Sequence, residues 1–295
     1  MYYNENINGL TRQIMIIAIA GMGLIGGSLA KDLKSSGFAT RIIGVESDPS
    51  HAAYSLEKGL VDKITGLKEA VEEAGLVILA TPTDTIREML PEVLDIAAGT
   101  NRVVTDMGST KAGMSKKVKD HPGRDRYVAS HPMAGTEYSG PGASKSGLFS
   151  CKNAIICDRE MSCDKALEMV TAMYNALKMN IIWMGSREHD ISAAYVSHIS
   201  HITSFALSLS VLEKEKDEKN ILSLAGGGFE STVRLAKSNA DTWTPIFLQN
   251  ARFITEVIDV YIEKMKEFRD GIDNKDPGII RKLIAQANEI EKILP

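Results

Sequence analysis

The sequence is poor in cysteine and has no excess of positive charge. It holds only three cysteines, Cys151, Cys157 and Cys163, and no C-x-x-C pair. An odd number without paired spacing argues against a disulfide framework and a zinc site, and is typical of the reducing cytoplasm. The 34 lysines and arginines against 38 aspartates and glutamates give a net charge of −4. Such a chain lacks the overall field that holds nucleic acid or an anionic membrane.

The sequence also lacks a convincing membrane span or signal peptide. One stretch of 18 residues between Arg12 and Lys31 carries no charge, but four glycines interrupt it. Asp32 and Lys34 follow directly, without a clear cleavage site, which disfavours a signal peptide. The stretch therefore predicts a buried strand, a turn and a helix.

A length of 295 residues indicates about two domains. The first is predicted over 1–186, with a polar, loose leader at 1–12. Its β-rich runs alternate with helical stretches, and the first four runs lack polar–apolar alternation, as in strands buried on both faces of a parallel sheet. This order predicts a Rossmann-type, doubly wound α/β sheet. The predicted strands are 15–20, 41–46, 76–81, 102–107, 127–132, 153–158 and 181–185, and the predicted helices 24–36, 50–59, 83–97, 109–119 and 163–178.

Residues 187–295 show no convincing strand pattern and predict an all-helical second domain. A long helix is predicted from about Glu188 to Lys214, since apolar residues recur there in steps of three and four. Further helices are predicted near 244–269 and 277–293. The apolar stripe is longer than a small helical domain readily buries alone, so we expect a homodimer through this domain. The stripe comprises Ile191, Tyr195, His198, Ile202, Phe205, Leu209 and Leu212.

A glycine motif with sequence GMGLIG follows the first predicted strand and opens a predicted helix. In a G-x-G-x-x-G motif the glycines allow a tight turn, close approach to a pyrophosphate, and close helix–strand packing. Glu46 ends the second strand, where a carboxylate accepts hydrogen bonds from ribose hydroxyls and repels a 2′-phosphate, which favours NAD over NADP. A glycine turn without a ligand is the alternative. The predicted cofactor residues are Gly21, Gly23, Leu24, Ile25, Gly26 and Glu46.

Three further candidates follow strand ends, where ligands bind in such sheets. Thr81 and Pro82 end the third run and are expected beside the cofactor. Ser109 follows the fourth run and either caps the next helix, takes part in the site, or does both. His131 follows the fifth run, where it is either a base beside the nicotinamide or an ordinary loop histidine.

The helical domain carries a second set of candidates. His189, His198 and His201 lie on or near the long helix. The H-x-x-H spacing of the last two lacks the carboxylate of an H-E-x-x-H site, so no metal site is predicted, and His198 is favoured as a core or interface residue. Three glycines at 226–228 precede Arg234, which either clamps a carboxylate bidentately or lies on the surface after a helix break.

These segments together resemble the prephenate and arogenate dehydrogenase family. The matching stretches are GMGLIGGSLA (21–30), LATP (79–82), TDMGSTK (105–111), SHPMAGTEYSG (130–140), HDISAAYVSHISH (189–201) and GGGFESTVRLA (226–236). The resemblance implies a Rossmann domain followed by a helical dimerisation domain. It implies NAD-dependent oxidative decarboxylation of prephenate to 4-hydroxyphenylpyruvate in tyrosine biosynthesis. Arogenate as substrate, another dehydrogenase of the same fold, and a non-catalytic NAD-sensing protein remain as alternatives.

The resemblance also implies roles for individual residues. His131 would contact the ring hydroxyl at the hydride-donating carbon, and Ser109 would orient His131 and lie near the nicotinamide. Arg234 would bind a substrate carboxylate. The other residues implied at the substrate pocket are His201, Thr136, Glu137 and Trp243.

The chain departs from the family pattern after GGGF. Family members often carry an arginine and an aspartate there, where this chain has Glu230 and Ser231. A gate built on an ion pair with that aspartate is therefore not implied for this chain. Its length also leads us to expect no fused regulatory or mutase domain.

Overall fold

A computed structural model describes residues 3–7, 10–218 and 220–293. Strands β1 (Tyr3–Ile7) and β2 (Leu10–Ile14) pair antiparallel. The prediction of a loose leader at 1–12 is therefore wrong for these strands, and its residues 1–2 and 8–9 lie outside the described residues. The overlooked signal is the Asn-Gly dipeptide between the two strands, a combination favoured in two-residue hairpins.

The main sheet has eight strands in the order β10-β9-β8-β7-β6-β3-β4-β5. From β5 to β8 all neighbouring strands are parallel, and the order matches the doubly wound Rossmann arrangement. β9 is antiparallel to β8 and parallel to β10. The strands are β3 (Ile16–Ala20), β4 (Arg41–Val45), β5 (Lys63–Ile64), β6 (Leu76–Leu79), β7 (Val103–Asp106), β8 (Tyr127–Pro132), β9 (Asn153–Cys157) and β10 (Asn180–Met184).

Helices cover both faces of this sheet, as the uninterrupted apolar runs predict. Alternate residues of β3 enter different cores: Ile17 packs in one and Ala18 in the other. The predicted fold class is thus confirmed. The short strand β5 and helix α3 were not predicted, because segments of this length carry little periodicity. The helices are α1 (Leu24–Ser35), α2 (Pro49–Glu57), α3 (Leu67–Glu73), α4 (Thr83–Ala97), α5 (Ala112–Lys117) and α6 (Asp164–Ala176).

The rest of the described chain is helical, as predicted. The single helix expected at 188–214 is interrupted by a π-helical turn at Ala194–His198. The helix expected at 244–269 is two helices that meet at Asn250. The boundary at 186/187 stays a prediction. The helices are α7 (Ser186–Ala193), α8 (Ile199–Asp217), α9 (Gly227–Val233), α10 (Ala240–Gln249), α11 (Ala251–Asp273) and α12 (Pro277–Asn288).

The helical part buries little apolar surface within one chain. Its buried apolar cluster consists of Ala194, Phe253, Ile254 and Val257. Two leucines of the predicted stripe, Leu209 and Leu212, are 68% and 53% exposed. None of the described helices is both long enough and apolar enough to span a bilayer.

Candidate active site

The glycine loop between β3 and α1 has the geometry of a phosphate-binding turn. Gly21 has φ +92°, and a Cβ there would lie 2.7 Å from the carbonyl carbon of Ala80. A Cβ on Gly26 would lie 1.9 Å from the oxygen of Gly21, so only glycine allows α1 to pack so closely on β3. A Cβ on Gly23 would meet nothing within 4 Å. The loop therefore leaves open space at the residue that is expected to approach a pyrophosphate.

The N-terminus of α1 and Glu46 border this open space. Gly23 caps α1 without a side-chain hydrogen bond, and its first turn holds no acidic residue. The free N–H groups of Leu24 and Ile25 thus remain for an anion. Glu46 accepts hydrogen bonds from the backbone N–H groups of Met22 at 2.8 Å and Asp48 at 3.0 Å, one on each oxygen. Each oxygen of Glu46 keeps a lone pair that can accept a hydrogen bond from a ribose hydroxyl.

The other two predicted cofactor residues follow β6. Thr81 comes two residues after the end of the strand, and Pro82 is the residue before the first turn of α4. Because β6 lies directly beside β3, both are next to the glycine loop, at the point where the strand order reverses.

His131 lies near the carboxyl end of β8 and is only 9% exposed. Its Nδ1 lies 2.8 Å from Nε2 of His189 on α7, and Nδ1 of His189 lies 2.8 Å from Oδ1 of Asp190. Burial, together with the positive charges that His189 and Lys111 would bring, holds the pKa of His131 well below its ordinary value. Its ring is therefore neutral at physiological pH, the form that accepts a proton.

Ser109 is half-buried after β7, and the helix-cap prediction for it is wrong. α5 begins at Ala112, after Lys111. The carboxylate of Asp190 accepts the N–H groups of Lys111 and Ala112 at 2.7 and 2.9 Å, so the helix end is satisfied from another domain. In the part of the chain that the structure describes, His131 Nδ1 contacts His189 rather than Ser109. A role of Ser109 toward substrate or cofactor stays a prediction.

A buried ion pair that the sequence reasoning missed supports this region. Asp106 ends β7, and its carboxylate pairs with the ammonium of Lys111; both side chains are inaccessible to solvent. Asp106 also accepts hydrogen bonds from the Tyr127 hydroxyl at 2.7 Å and from the N–H groups of Ser130 and Gly108. Burial and the negative charge of Asp106 raise the pKa of Tyr127 well above its usual range. These bonds fix the loop from β7 to α5 against the base of β8.

The helical domain brings two of the predicted substrate residues, His201 and Trp243, together. His201 stacks on Trp243, with ring centroids 3.4 Å apart. The buried His198, for which a core or interface role was predicted, meets the edge of the same indole at 6.0 Å. Burial lowers the pKa of His198 to about 4, and burial with the positive charge of Arg234 lowers that of His201. Both rings are thus neutral at physiological pH.

Arg234 and Glu137 connect the two parts of the candidate site. The guanidinium Nη1 of Arg234 lies 3.4 Å from Oε2 of Glu137, which belongs to the loop after β8. Arg234 remains half exposed and retains further N–H donors for a carboxylate. Next to Glu137, the Thr136 hydroxyl accepts the N–H of Tyr138 at 3.3 Å. This loop borders an open cleft.

The cleft has a volume of about 720 Å³ and lies between the loop after β8 and the segment after Arg234. Glu137 lines this cleft, and His131 does not. Glu137 therefore borders both this cleft and Arg234. The lining residues are Glu137, Tyr138, Ser139, Gly142, Ala143, Lys237 and Asn239.

Comparison with known protein families agrees with this arrangement. Residues 29–183 match the model described as prephenate dehydrogenase, nucleotide-binding domain. Residues 185–286 match the model described as prephenate dehydrogenase, dimerization domain. The chain belongs to the prephenate dehydrogenase family. It is therefore an oxidoreductase of the group that acts on prephenate, arogenate and related cyclohexadienyl compounds.

Two curated relatives of this family cover most of the chain. The chain is 30% identical to prephenate dehydrogenase of Bacillus subtilis (strain 168), over 95% of its own length and 76% of the relative's. It is 29% identical to cyclohexadienyl dehydrogenase of Zymomonas mobilis, over 88% of its own length and 89% of the relative's.

Solved structures of the prephenate dehydrogenase family share the whole fold. A crystal structure of prephenate dehydrogenase from Aquifex aeolicus has 28% identity and a TM-score of 0.85, and covers 94% of this chain and 98% of that chain. Prephenate dehydrogenase from A. aeolicus in complex with hydroxyphenyl propionate and NAD+ has 26% identity and a TM-score of 0.84, with 96% and 99% covered.

The buried pair of Asp106 and Lys111 yields a stability prediction. Replacing Lys111 with methionine leaves the carboxylate of Asp106 buried without its cation, so the free energy of unfolding should fall by roughly 3–5 kcal/mol. The matched control is Lys264→Met, which removes one partner of an exposed pair with Glu267 and should change stability little. Urea unfolding of both variants measures the difference. Equal stability of the two variants would show that the buried pair contributes nothing.

Proposed function

We propose that this chain is an NAD-dependent prephenate dehydrogenase that converts prephenate to 4-hydroxyphenylpyruvate and CO₂. The observation that carries the proposal is the buried, neutral His131 at the end of β8, in the same sheet edge as the open glycine loop. The B. subtilis relative, named prephenate dehydrogenase, supports this substrate. We also expect the protein in the cytoplasm, because few cysteines without paired spacing are typical of a reducing compartment.

The residues at the glycine loop fit NAD. The open space at Gly23 and the free N–H groups of α1 would hold the pyrophosphate. Glu46 would accept the ribose hydroxyls, and its negative charge disfavours the 2′-phosphate of NADP. Thr81, Pro82 and Ser109 would border the nicotinamide half. When bound, NAD supplies the ring that accepts a hydride from the carbinol carbon of the substrate.

His131 handles the proton in this mechanism. Its Nε2 accepts the proton of the ring hydroxyl as the carbinol carbon is oxidised to a carbonyl. The bond to the ring carboxylate then breaks, CO₂ leaves, and the electron pair enters the ring, which becomes aromatic. The phenolate oxygen takes a proton back from His131, which returns the histidine to its neutral form.

The remaining predicted residues bind and orient the substrate. Prephenate carries two carboxylates, and the planar guanidinium of Arg234 matches one of them bidentately. His201 and Trp243, stacked on one another, would form the apolar and polar wall beside the ring. Thr136 and Glu137 would contact the substrate from the loop after β8.

Arogenate is the second candidate substrate. It has the same ring and differs from prephenate by an amino group in place of the side-chain keto group. The Zymomonas relative, named cyclohexadienyl dehydrogenase, supports this alternative.

Turnover measurements test the function directly. NADH formation, followed at 340 nm, should appear with prephenate and NAD, and kcat/KM should be higher with NAD than with NADP because of Glu46. Parallel assays with arogenate decide between the two substrates. Binding of NAD without turnover of either compound would instead favour a non-catalytic, NAD-sensing protein.

Replacement of His131 tests the proton acceptor. His131→Asn keeps similar size but cannot act as a base, so kcat should fall by at least ~10²-fold. In the wild-type enzyme kcat/KM should decline only as the pH falls through a pKa below 6.5, since burial lowers the pKa of this group. This acidic limb should be absent from the variant.

The matched control for this prediction is His121→Asn. His121 pairs with Asp95 near the C-terminal end of α4, whereas the candidate site lies at the N-terminal end of that helix. Nδ1 of His121 accepts the N–H of Gly123, which the oxygen of asparagine can also do. This variant should keep both kcat and the acidic limb. If His131→Asn also keeps both, His131 is not the proton acceptor.

The proposed enzyme is a homodimer through the helical domain. Its exposed apolar residues, Leu209 and Leu212 among them, are costly to leave in water, and the matched family model is described as a dimerization domain. Light scattering should give about twice the chain mass of 32.1 kDa. Leu209→Glu should weaken the dimer, whereas Leu56→Glu on α2 should not. A wild-type mass near that of one chain would contradict this prediction.

A further inference from the structure

A chain of three buried side chains runs from α7 to the proposed proton acceptor. Asp190 accepts from His189 at 2.8 Å, and His189 contacts His131 at 2.8 Å. We propose that His189 and Asp190 are positioning residues that hold His131 in the tautomer whose Nε2 is free of a proton. The inference rests on the proposed function for the reaction it serves, but the tautomer itself is independent of that function.

The direction of the hydrogen bonds follows from Asp190. Its carboxylate can only accept, so Nδ1 of His189 must donate and carry the proton. A neutral imidazole has one N–H, so Nε2 of His189 carries none and must accept. Nδ1 of His131 therefore donates, which leaves Nε2 of His131 as the unprotonated nitrogen. This nitrogen is the one that must accept the substrate's hydroxyl proton.

Asp190 is held rigidly enough to impose this order. It is 2% exposed, and its two oxygens also accept the N–H groups of Lys111 and Ala112. Its backbone oxygen accepts the side-chain amide of Asn250 at 2.8 Å. The same amide lies 3.1 Å from Nδ1 of His198. With its backbone and side chain both tied, the carboxylate has no freedom to release His189.

The charged groups around His131 determine how its contact with His189 and Asp190 changes its pKa. Lys111 comes from the loop after β7, His198 from the π turn, and His189 and Asp190 from α7. Lys111, and His198 when charged, disfavour the imidazolium form of His131. The negative charge of Asp190, acting through the hydrogen bond to His189, favours that form, as the aspartate of a Ser-His-Asp triad does. Loss of this charge should therefore lower the pKa of His131.

Asp190→Asn separates the charge of Asp190 from the tautomer that it imposes. Oδ1 of Asp190 accepts from the N–H of Lys111 and from Nδ1 of His189, and Oδ2 accepts the N–H of Ala112. Asparagine keeps more of these bonds with its amide oxygen at the Oδ1 position, so Nδ1 of His189 still donates and Nε2 of His131 stays free of a proton. The negative charge is lost, His131 becomes less basic, and kcat should fall by about 10-fold.

His189 provides a pair of variants that keeps the test sharp if Asp190→Asn folds poorly. His189→Phe removes the acceptor for His131 and should lower kcat at least ~10-fold. His189→Gln places an amide oxygen where Nε2 was, so it should recover part of that loss. Asp62→Asn is the control, because Asp62 accepts the N–H of Ile42 at 2.7 Å but lies at the opposite end of the strands; its acidic limb should match wild type.

Ring nitrogen NMR on the full-length chain labelled with ¹⁵N-histidine reads the tautomer without turnover. The spectrum of His131→Asn assigns the His131 signals. Wild type and Asp190→Asn should show the Nδ1–H form, His189→Phe should shift toward the Nε2–H form, and His189→Gln should shift back. In kcat/KM profiles the acidic limb of Asp190→Asn should move to lower pH.

Two outcomes would overturn the inference. The first is a wild-type His131 that carries its proton on Nε2. The second is a His189→Phe variant that keeps both the wild-type tautomer and the wild-type acidic limb while losing only stability. If wild type turns over neither prephenate nor arogenate, the proposed function fails. The NMR result then still decides the positioning role by itself.

Discussion

The candidate site depends on the hydrogen bonds that the carboxylate of Asp190 accepts. It accepts the N–H groups of Lys111 and Ala112 from the Rossmann part and the ring N–H of His189 from α7. These three bonds attach the first helix of the helical domain to the loop after β7 and orient the histidine beside His131. A buried carboxylate with three donors is well satisfied, so its desolvation is offset where it lies.

A second buried charge pair sets the electrostatics of the same region. Lys111 pairs with Asp106, which the Tyr127 hydroxyl also satisfies. A buried cation close to His131 disfavours a second positive charge, and burial acts in the same direction. His131 is therefore buried and neutral. In the proposed mechanism, Asp190 partly offsets this effect, so that His131 can take up a proton during the reaction.

The helical part of the chain has a different constraint. Its own buried cluster is small, and apolar side chains along α8 remain in contact with water in a single chain. Burial of such surface is the main favourable contribution to association. The stacked His201 and Trp243 and the half-exposed Arg234 lie in this same part. The residues proposed to bind the substrate thus lie in the part of the chain whose apolar surface is incompletely buried within one chain.

Local patterns predicted much of this protein correctly. The strands from β3 to β10, apart from β5, and the roles of glycine at Gly21 and Gly26 follow from short-range rules. An uninterrupted apolar run is a property of neighbouring residues, and so is the contact that a Cβ on Gly26 would make with the oxygen of Gly21. The family resemblance added Thr136, Glu137 and Trp243 and gave roles to His131 and Arg234, and all of these roles remain predictions.

What only the tertiary structure decided concerns contacts between residues far apart in the chain. Sequence analysis gave Ser109 the task of orienting His131 and placed it as a possible cap of α5. In the structure His189, 58 residues from His131, makes the first contact, and Asp190 satisfies the end of α5. The π turn within the long helix was equally invisible in its periodicity. Sequence by itself determined the elements and the glycine turn, because their causes are local. The partners of His131 required the fold, because hydrogen bonds across domains depend on how α7 packs against the sheet edge, and no spacing along the chain encodes that.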